Sequence, residues 1–356
     1  MKKHYTIPFF IPHKGCPHKC IFCNQNKITE QDDVVTPSGI SQKIDQYLSK
    51  MDSSDIEVGF FGGTFTALPL EIQESFLKPV QPYIKKKLIK GIRLSTRPDF
   101  IDNKKLMFLK KNNVKCVELG VQSMSGEVLS RIKRGYTSDC VKKACKLIVE
   151  NDFLLGYQMM IGLPSSTKED EYLTAKYAKE LNASQVRIYP TIVMKDTVLA
   201  DDWKEGRYVP LPESEAINIC RNIIVHLESN GIKVIRCGLH PSEGLLNGEN
   251  YLAGPFHPAF KLKVESRIFA CMLEYILSDV NRKPRQIFFN PKDESAVFGF
   301  LRENYDKIKM LSGGNSDFLN SDVDVKRGTL KIFAEGESFL VDRKLIASQI
   351  LPEELL

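Results

Sequence analysis

Short apolar runs alternate with longer amphipathic segments along the first half of the chain. Residues 5–10, 56–61, 91–95, 116–121, 155–161 and 185–189 are predicted to be strands. Apolar positions recur at helical spacing over residues 38–50, 69–87, 103–112, 125–132, 138–150 and 167–181. Apolar strands separated by helices are typical of a parallel sheet covered by helices. The pattern therefore predicts an α/β fold, a partial (β/α)6 TIM-like barrel with function at the C-terminal ends of its strands.

The last third of the chain has a different pattern. It predicts a helix over 260–277, a strand over 285–289, a helix over 294–304 and a hairpin over 323–333. We read this part as a small C-terminal α/β appendage. The predicted domains are thus a core over 1–240 and a small domain over 241–356 that caps the barrel.

Composition fits an ordinary globular enzyme, since 42% of the 356 residues are hydrophobic and 26% are charged. The N-terminal apolar run is too short for a secretory signal, and no run suits a membrane span. We therefore expect a cytoplasmic protein without a membrane partner. The net charge of +6 is compatible with a nucleic-acid partner. Lysine bunches such as Lys142, Lys143 and Lys146 are more often solvated helix faces.

Three cysteines near the N-terminus, Cys16, Cys20 and Cys23, have the spacing C-x-x-x-C-x-x-C. A loop of this spacing can place three thiolates around a 4Fe-4S cluster and leave the fourth iron open to another ligand. A zinc knuckle completed by His13 or His18 is one alternative, and reduced thiols in a turn are another. The other six cysteines are scattered, so a second cluster or a disulfide framework is not expected.

The cysteine segment, with Phe22 just before its last cysteine, resembles the cluster loop of radical S-adenosylmethionine (SAM) enzymes. The resemblance implies two cofactors, a 4Fe-4S cluster and SAM bound at the open iron. It further implies an electron donor of the flavodoxin or ferredoxin type. One electron would cleave SAM reductively and give a 5′-deoxyadenosyl radical.

The same resemblance assigns SAM contacts at successive strand ends. Gly62, Gly63 and Thr64 follow the second strand and would hold the amino group. Further candidates are Ser95 and Gln122 for the ribose and methionine parts, Arg134 for the carboxylate, Gln158 for the ribose hydroxyls and Gly162 for the adenine. The two glutamines lie inside apolar strands, where a buried amide without a partner is costly.

Several longer motifs narrow the family. Phe-Gly-Gly-Thr-Phe-Thr, Ser-Thr-Arg-Pro-Asp, Arg-Gly-Tyr-Thr, Gln-Met-Met-Ile-Gly-Leu-Pro and Arg-Ile-Tyr-Pro-Thr are together similar to the radical-SAM core of the Elongator catalytic subunit. This implies tRNA as a candidate substrate, with Tyr189 and Arg187 as candidate pocket residues. The acetyltransferase signature R/Q-x-x-G-x-G/A has no match in the sequence.

Two other readings stay open. One is a radical SAM oxidoreductase that acts on a small molecule and resembles oxygen-independent coproporphyrinogen oxidase. The other is a non-catalytic iron-sulfur or zinc binding module. Intact candidate SAM contacts such as Gln122 and Arg134 speak against the module, because bare metal binding does not require them.

Overall fold

The computed structural model describes residues 4–11, 14–16, 19–24, 27, 35–50, 55–278, 284–313, 318–334 and 337–356. His13 and His18, the histidines considered as zinc ligands, lie outside these residues. Within the described residues no helix combines the length and apolar character needed to cross a membrane.

A curled parallel sheet organises the first part of the chain. The strands are β1 (Tyr5–Phe10), β2 (Ile56–Phe61), β3 (Ile92–Thr96), β4 (Val114–Gln122), β5 (Leu154–Ile161), β6 (Gln185–Pro190), β7 (Val193–Met194), β8 (Lys233–Cys237) and β9 (Tyr251–Ala253). Among the described residues, seven of them form one sheet in the order β1-β2-β3-β4-β5-β6-β8, and β7 pairs with β9. All six predicted strands are present, and the partial barrel is confirmed; β8 was not predicted.

Helices connect the strands, as βα units require. They are α1 (Pro37–Leu48), α2 (Leu70–Leu77), α3 (Gln81–Lys85), α4 (Asn103–Lys111), α5 (Gly126–Arg131), α6 (Ser138–Glu150), α7 (Lys168–Glu180) and α8 (Val198–Lys204). Threonine side chains cap the start of four of them, α1, α6, α7 and α8. Thr137, for example, accepts from the amide of Cys140, and Thr167 forms a capping box with Asp170.

The single helix predicted over 69–87 is wrong. The chain forms α2, a 3₁₀ turn over Lys78–Val80, and then α3. Pro79 and Pro82 explain the break, because proline lacks an amide hydrogen and its ring clashes with the preceding turn of an α-helix.

The chain divides into two compact units, residues 1–210 with 240–254, and residues 211–239 with 255–356. The functional division at residue 240 stays a prediction. The later helices are α9 (Glu213–Ser229), α10 (Glu243–Leu246), α11 (Phe260–Ser278), α12 (Glu294–Phe298), α13 (Tyr305–Ser312) and α14 (Arg343–Ile350). Four strands, β10 (Gln286–Phe289), β11 (Leu319–Ser321), β12 (Leu330–Ala334) and β13 (Glu337–Val341), form a separate sheet in the order β11-β10-β12-β13.

Two predictions for the second unit are wrong. The helix over 294–304 ends at Phe298, because Gly299 and Leu301 have φ angles of +84° and +54°. The hairpin is formed by β12 and β13, whereas β11 pairs in parallel with β10. Asp322 turns the chain after β11, since its side chain accepts from the amide of Asp324.

Candidate functional site

One face of the parallel sheet carries most of the predicted site residues. Strand register aligns Ser95 with Glu118, and it aligns Gln158 with both Gly120 and Arg187. Residues two apart on a strand share a face. We call this the inner face, and it also carries Tyr189. Every candidate on a strand interior thus points to the same side of the sheet.

The part of the inner face nearer the strand starts holds a chain of ion pairs, which we call the charge ladder: Glu57, Arg93, Glu118 and Arg187. Arg93 pairs with Glu57, and its Nη1 donates to Glu118 Oε1 at 2.6 Å. Arg187 donates from Nε and Nη2 to the two oxygens of the same carboxylate at 2.9 and 3.1 Å. The ladder therefore ties together four strands, three of them adjacent.

Arg187 is committed to this ladder. Its guanidinium lies 5.3 Å from the centre of the Phe61 ring in addition to its two bonds with Glu118. Burial opposes the charge, but Glu118 and Tyr189 raise the pKa of Arg187 above its ordinary value. The pocket candidate Arg187 thus has a carboxylate partner inside the protein. Its side chain also interacts with Tyr189, the other pocket candidate.

The first half of the cysteine loop packs on the turn after β2. The amide of Thr64 donates to the carbonyl of Lys14 at 2.9 Å, and Cys16 Sγ lies 3.2 Å from Thr64 Oγ1. A Cβ on Gly63 would lie 2.4 Å from the carbonyl oxygen of Lys14. A Cβ on Gly15 would lie 2.3 Å from the carbonyl oxygen of Thr64. Both glycines are therefore needed for the backbone of the loop to approach the turn, a contact that the sequence analysis did not foresee.

The second half of the loop is anchored by Ile21, which is 1% exposed. Its carbonyl accepts from the amide of Leu199 at 2.9 Å. The core around its side chain is formed by Val128, Ile132, Leu163, Val193, Leu199, Ala200 and Tyr208, with Phe22 packed at the edge. Sequence reasoning missed Ile21, although an apolar side chain between two cysteines is the signal that could have identified it.

Arg134 connects the end of β4 to the cysteine loop. It is 6% exposed, and its Nη1 donates to Cys20 Sγ at 3.1 Å. Its Nη2 donates to the carbonyl of Gly120 at 2.6 Å, and its Nε donates to the hydroxyl of Tyr136 at 2.8 Å. Burial raises the pKa of Tyr136 to about 12, against the lowering effect of Arg134, so this phenol stays protonated at neutral pH.

Gln122 ends β4 in a strained conformation. Its φ angle is +69°, which is uncommon outside glycine, and the register of β4 against β5 shifts there. The residue is 4% exposed, and within the described part of the chain its Oε1 has no hydrogen-bond partner. Strain and an unpaired buried amide at a strand end are typical of a ligand site.

The remaining candidates lie at the neighbouring strand ends. Gly162 has a φ angle of +70°, and its amide donates to Glu171 while its carbonyl accepts from Tyr208 at 2.7 Å. Ser95 and Gln158 are half-buried. The structure thus places the predicted SAM contacts at strand ends and on the inner face of one sheet, except for Phe22 and Arg134, which lie in loops. The backbone of Gly162 is already bonded within the protein.

Comparison with known families identifies the chain. The profile of the radical SAM superfamily matches residues 10–178, and the profile of the radical SAM C-terminal domain matches residues 183–269. The chain belongs to the radical SAM superfamily. It is therefore an enzyme by family. The radical SAM profile begins just before the cysteine loop and includes the ends of β2 to β5.

The relatives of this radical SAM enzyme include tRNA-modifying proteins. The tRNA uridine(34) acetyltransferase of Methanocaldococcus infernus is 29% identical over 57% of this chain and 46% of its own length. Human Elongator complex protein 3 is 27% identical over 48% of this chain and 35% of its own length. The chain thus spans less than half of these relatives, and the predicted likeness to the Elongator catalytic subunit is confirmed.

A heme-related protein and a solved structure are also similar. The heme chaperone HemW of Bacillus subtilis is 26% identical over 65% of this chain and 61% of its own length. The structure of Methanocaldococcus infernus Elp3 with an N-terminal deletion superposes with a TM-score of 0.61 at 22% identity, over 75% of this chain and 63% of that one. The latter likeness supports the fold.

The residues present fit the cofactors of the superfamily. Across the described ranges, no three Cys, His, Asp or Glu side chains converge closely enough to hold a metal ion. The thiols of Cys16 and Cys20 are instead engaged by Thr64 and Arg134. A loop of three cysteines, with the thiol of Cys20 3.1 Å from a buried cation, suits an anionic iron-sulfur cluster. The Oε1 of Gln122, which has no partner among the described residues, suits a polar ligand.

Proposed function

We propose that this radical SAM enzyme holds a 4Fe-4S cluster with Cys16, Cys20 and Cys23 and cleaves SAM reductively. When bound, the cluster and SAM supply a 5′-deoxyadenosyl radical to a substrate. The observation that carries this proposal is the end of β4, where the side-chain amide of Gln122 lies near Arg134, the cation that contacts Cys20. Gln122 Nε2 lies 2.9 Å, and Arg134 Nη2 lies 3.2 Å, from the point where a Cβ on Gly120 would stand. The Oε1 of the same amide has no hydrogen-bond partner among the described residues.

Several side chains and backbone groups of the chain would then hold SAM. The Oε1 of Gln122 would accept a hydrogen bond from the ligand, which would offset its desolvation. The further proposed contacts are those predicted from the motifs: Phe22, Gly62, Gly63, Thr64, Ser95, Arg134, Gln158 and Gly162. Ile21 and Gly63 contribute indirectly, because they fix the cysteine loop against α8 and the turn after β2.

The proposed substrate is tRNA. Support comes from the relatives named tRNA uridine(34) acetyltransferases and from the position of Tyr189 at the end of β6, beside the inner face. An electron donor of the flavodoxin or ferredoxin type is part of the same proposal. Since the chain matches only about half of the length of those relatives, the acetyl-transfer step is not proposed for it.

A second candidate substrate is a tetrapyrrole or another small molecule. The match to the heme chaperone of Bacillus subtilis covers a larger share of this chain than the matches to the tRNA uridine(34) acetyltransferases. This candidate uses the same cluster and SAM contacts. It differs in predicting binding of a planar apolar ligand and no binding of RNA. The non-catalytic module is disfavoured by Gln122, whose backbone is strained and whose Oε1 has no partner in the described part of the chain.

Reconstitution under anaerobic conditions tests the cluster and SAM cleavage. We expect about four irons per chain, and with dithionite and SAM we expect 5′-deoxyadenosine and methionine. Replacing Cys16, Cys20 or Cys23 by Ser should abolish the brown absorbance. Cys140→Ser, on α6, is the matched control and should retain it. Zinc in place of iron, or an EPR signal that SAM leaves unchanged, would disprove the proposal.

Nucleoside mass spectrometry tests the substrate. Total tRNA from a deletion strain should lack a modification that the parent strain carries, and the purified protein should bind tRNA in a salt-dependent manner. Identical tRNA profiles together with stoichiometric heme or porphyrin binding would instead favour the second candidate.

A further inference from the structure

Arg134 is a buried cation at the cysteine loop. Its hydrogen-bond acceptors among the residues described here are the thiol of Cys20, the phenol of Tyr136 and the carbonyl of Gly120, and none is a carboxylate. The buried arginines of the charge ladder, in contrast, each pair with glutamate. A buried charge is costly unless an opposite charge compensates it. Among the described groups, the one that can supply a counter-charge to Arg134 is the Cys20 thiol, once it is deprotonated as a cluster ligand.

The guanidinium of Arg134 is held in place from several sides. Tyr136 accepts from its Nε and donates onward to the carbonyl of Gly120 at 2.5 Å. Arg97, itself paired with Asp99 at 2.8 and 2.9 Å, donates to the backbone carbonyl of Arg134 at 2.5 Å. These contacts fix the direction of the planar fork, so that Nη1 faces the sulfur of Cys20.

We propose that Arg134 is a positioning residue for the iron-sulfur cluster: its Nη1 donates a charge-assisted hydrogen bond to the sulfur of Cys20 and makes the cluster easier to reduce. This inference rests on the proposed function, since it requires Cys20 to be a cluster ligand. Hydrogen bonds to the sulfurs and local charge set the potential of such clusters. A fixed positive charge favours the reduced form, because reduction adds one negative charge.

This role differs from that of a SAM carboxylate contact. Every guanidinium nitrogen of Arg134 already has a partner in the protein, and Nη1 is directed at sulfur. A carboxylate contact alone would matter only with SAM present. The contact with sulfur would affect the cluster even in the absence of SAM. A measurement on the cluster without SAM therefore distinguishes the two roles.

The test is the reduction potential of the reconstituted protein, measured by mediated titration without SAM. Arg134→Gln removes the charge and should shift the reduction equilibrium about tenfold towards the oxidised form, about 59 mV for one electron. Arg134→Lys keeps the positive charge but lacks the planar guanidinium, and it should shift the reduction equilibrium less. Tyr136→Phe removes one anchoring bond but keeps the guanidinium, and should stay close to the parent protein.

A second measurement needs no variant. In protein labelled with ¹⁵N-arginine, pulsed EPR of the reduced cluster should show a nitrogen coupling through the hydrogen bond to Cys20. An Arg134→Gln potential equal to that of the parent, or the absence of this coupling, would overturn the inference while leaving the proposed function intact. If the parent protein assembles no 4Fe-4S cluster, the proposed function itself fails.

Discussion

Two polar regions of the inner face have opposite character. The charges of the charge ladder neutralise one another, because Glu118 accepts from both Arg93 and Arg187, and Arg93 also pairs with Glu57. The region at the strand ends is open, since Gln122 leaves one amide oxygen unpaired within the described residues and Arg134 reaches a cysteine thiol.

This difference distinguishes polar groups that stabilise the fold from polar groups that bind a ligand. Buried charges that neutralise one another hold strands in place and need nothing from outside. Buried polar groups that lack partners are costly, and a protein retains them where a ligand completes the arrangement. The ladder is therefore interpreted as a support for the barrel, and the strand ends as the place where cofactor and substrate bind.

The largest expected effect comes from removing the carboxylate that the two arginines of the charge ladder share. Glu118→Ala leaves Arg93 and Arg187 without their shared carboxylate, and breaking a buried pair in this way costs about 3–5 kcal/mol. Denaturant unfolding of the apo protein measures the loss of free energy of unfolding. Glu150→Ala is the matched control, because its Oε1 lies 3.7 Å from Lys146 at the surface. Equal stability of the two variants would show that the ladder is not structural.

A smaller loss is expected where the cysteine loop meets the turn after β2. Gly63→Ala places a Cβ 2.4 Å from the carbonyl of Lys14, closer than any ordinary contact. Because the loop must move, we expect the free energy of unfolding to fall by about 1–3 kcal/mol, as for other overpacked sites. We also expect a lower iron content. Gly126→Ala, where a Cβ would meet no atom within 4 Å, is the control and should keep full iron. Full iron in both variants would contradict this role of Gly63.

Gln122→Met tests the open region by removing the amide whose Oε1 has no partner among the described residues. The free energy of unfolding should stay the same or increase by about 1 kcal/mol, since an unsatisfied buried group is lost. SAM affinity should fall about tenfold, about 1.4 kcal/mol. Isothermal titration and denaturant unfolding give the two values.

Gln73→Met in α2 is the matched control for this variant. Gln73 is also a buried glutamine whose Oε1 has no hydrogen-bond partner among the described residues, but its Nε2 donates to the carbonyl of Leu68 at 2.7 Å. It should lose stability and keep SAM affinity. A Gln122→Met protein that behaves in the same way would show that Gln122 is an ordinary structural residue.

The assignment of three cysteines within eight residues as cluster ligands stays a prediction. Much of the fold was predictable because its strands are short apolar runs. The charge ladder was not, since its partners are far apart in the chain: Glu118 and Arg187 are separated by 69 positions. The contact of Arg134 with Cys20 spans 114 positions. Spacing in sequence carries no information about pairs of this kind, which exist only after the sheet has formed.

The smallest effect is expected from the lysine bunch on α6. Lys142 lies 3.5 Å from Asp139, and Lys146 lies 3.7 Å from Glu150, so both charges have partners on their own helix. Replacing Lys142, Lys143 and Lys146 by Ala should weaken tRNA binding by less than about threefold and change the salt slope by less than about one unit. SAM cleavage should be unaffected. A loss of tRNA affinity greater than tenfold would instead place an RNA contact on α6, outside the open region.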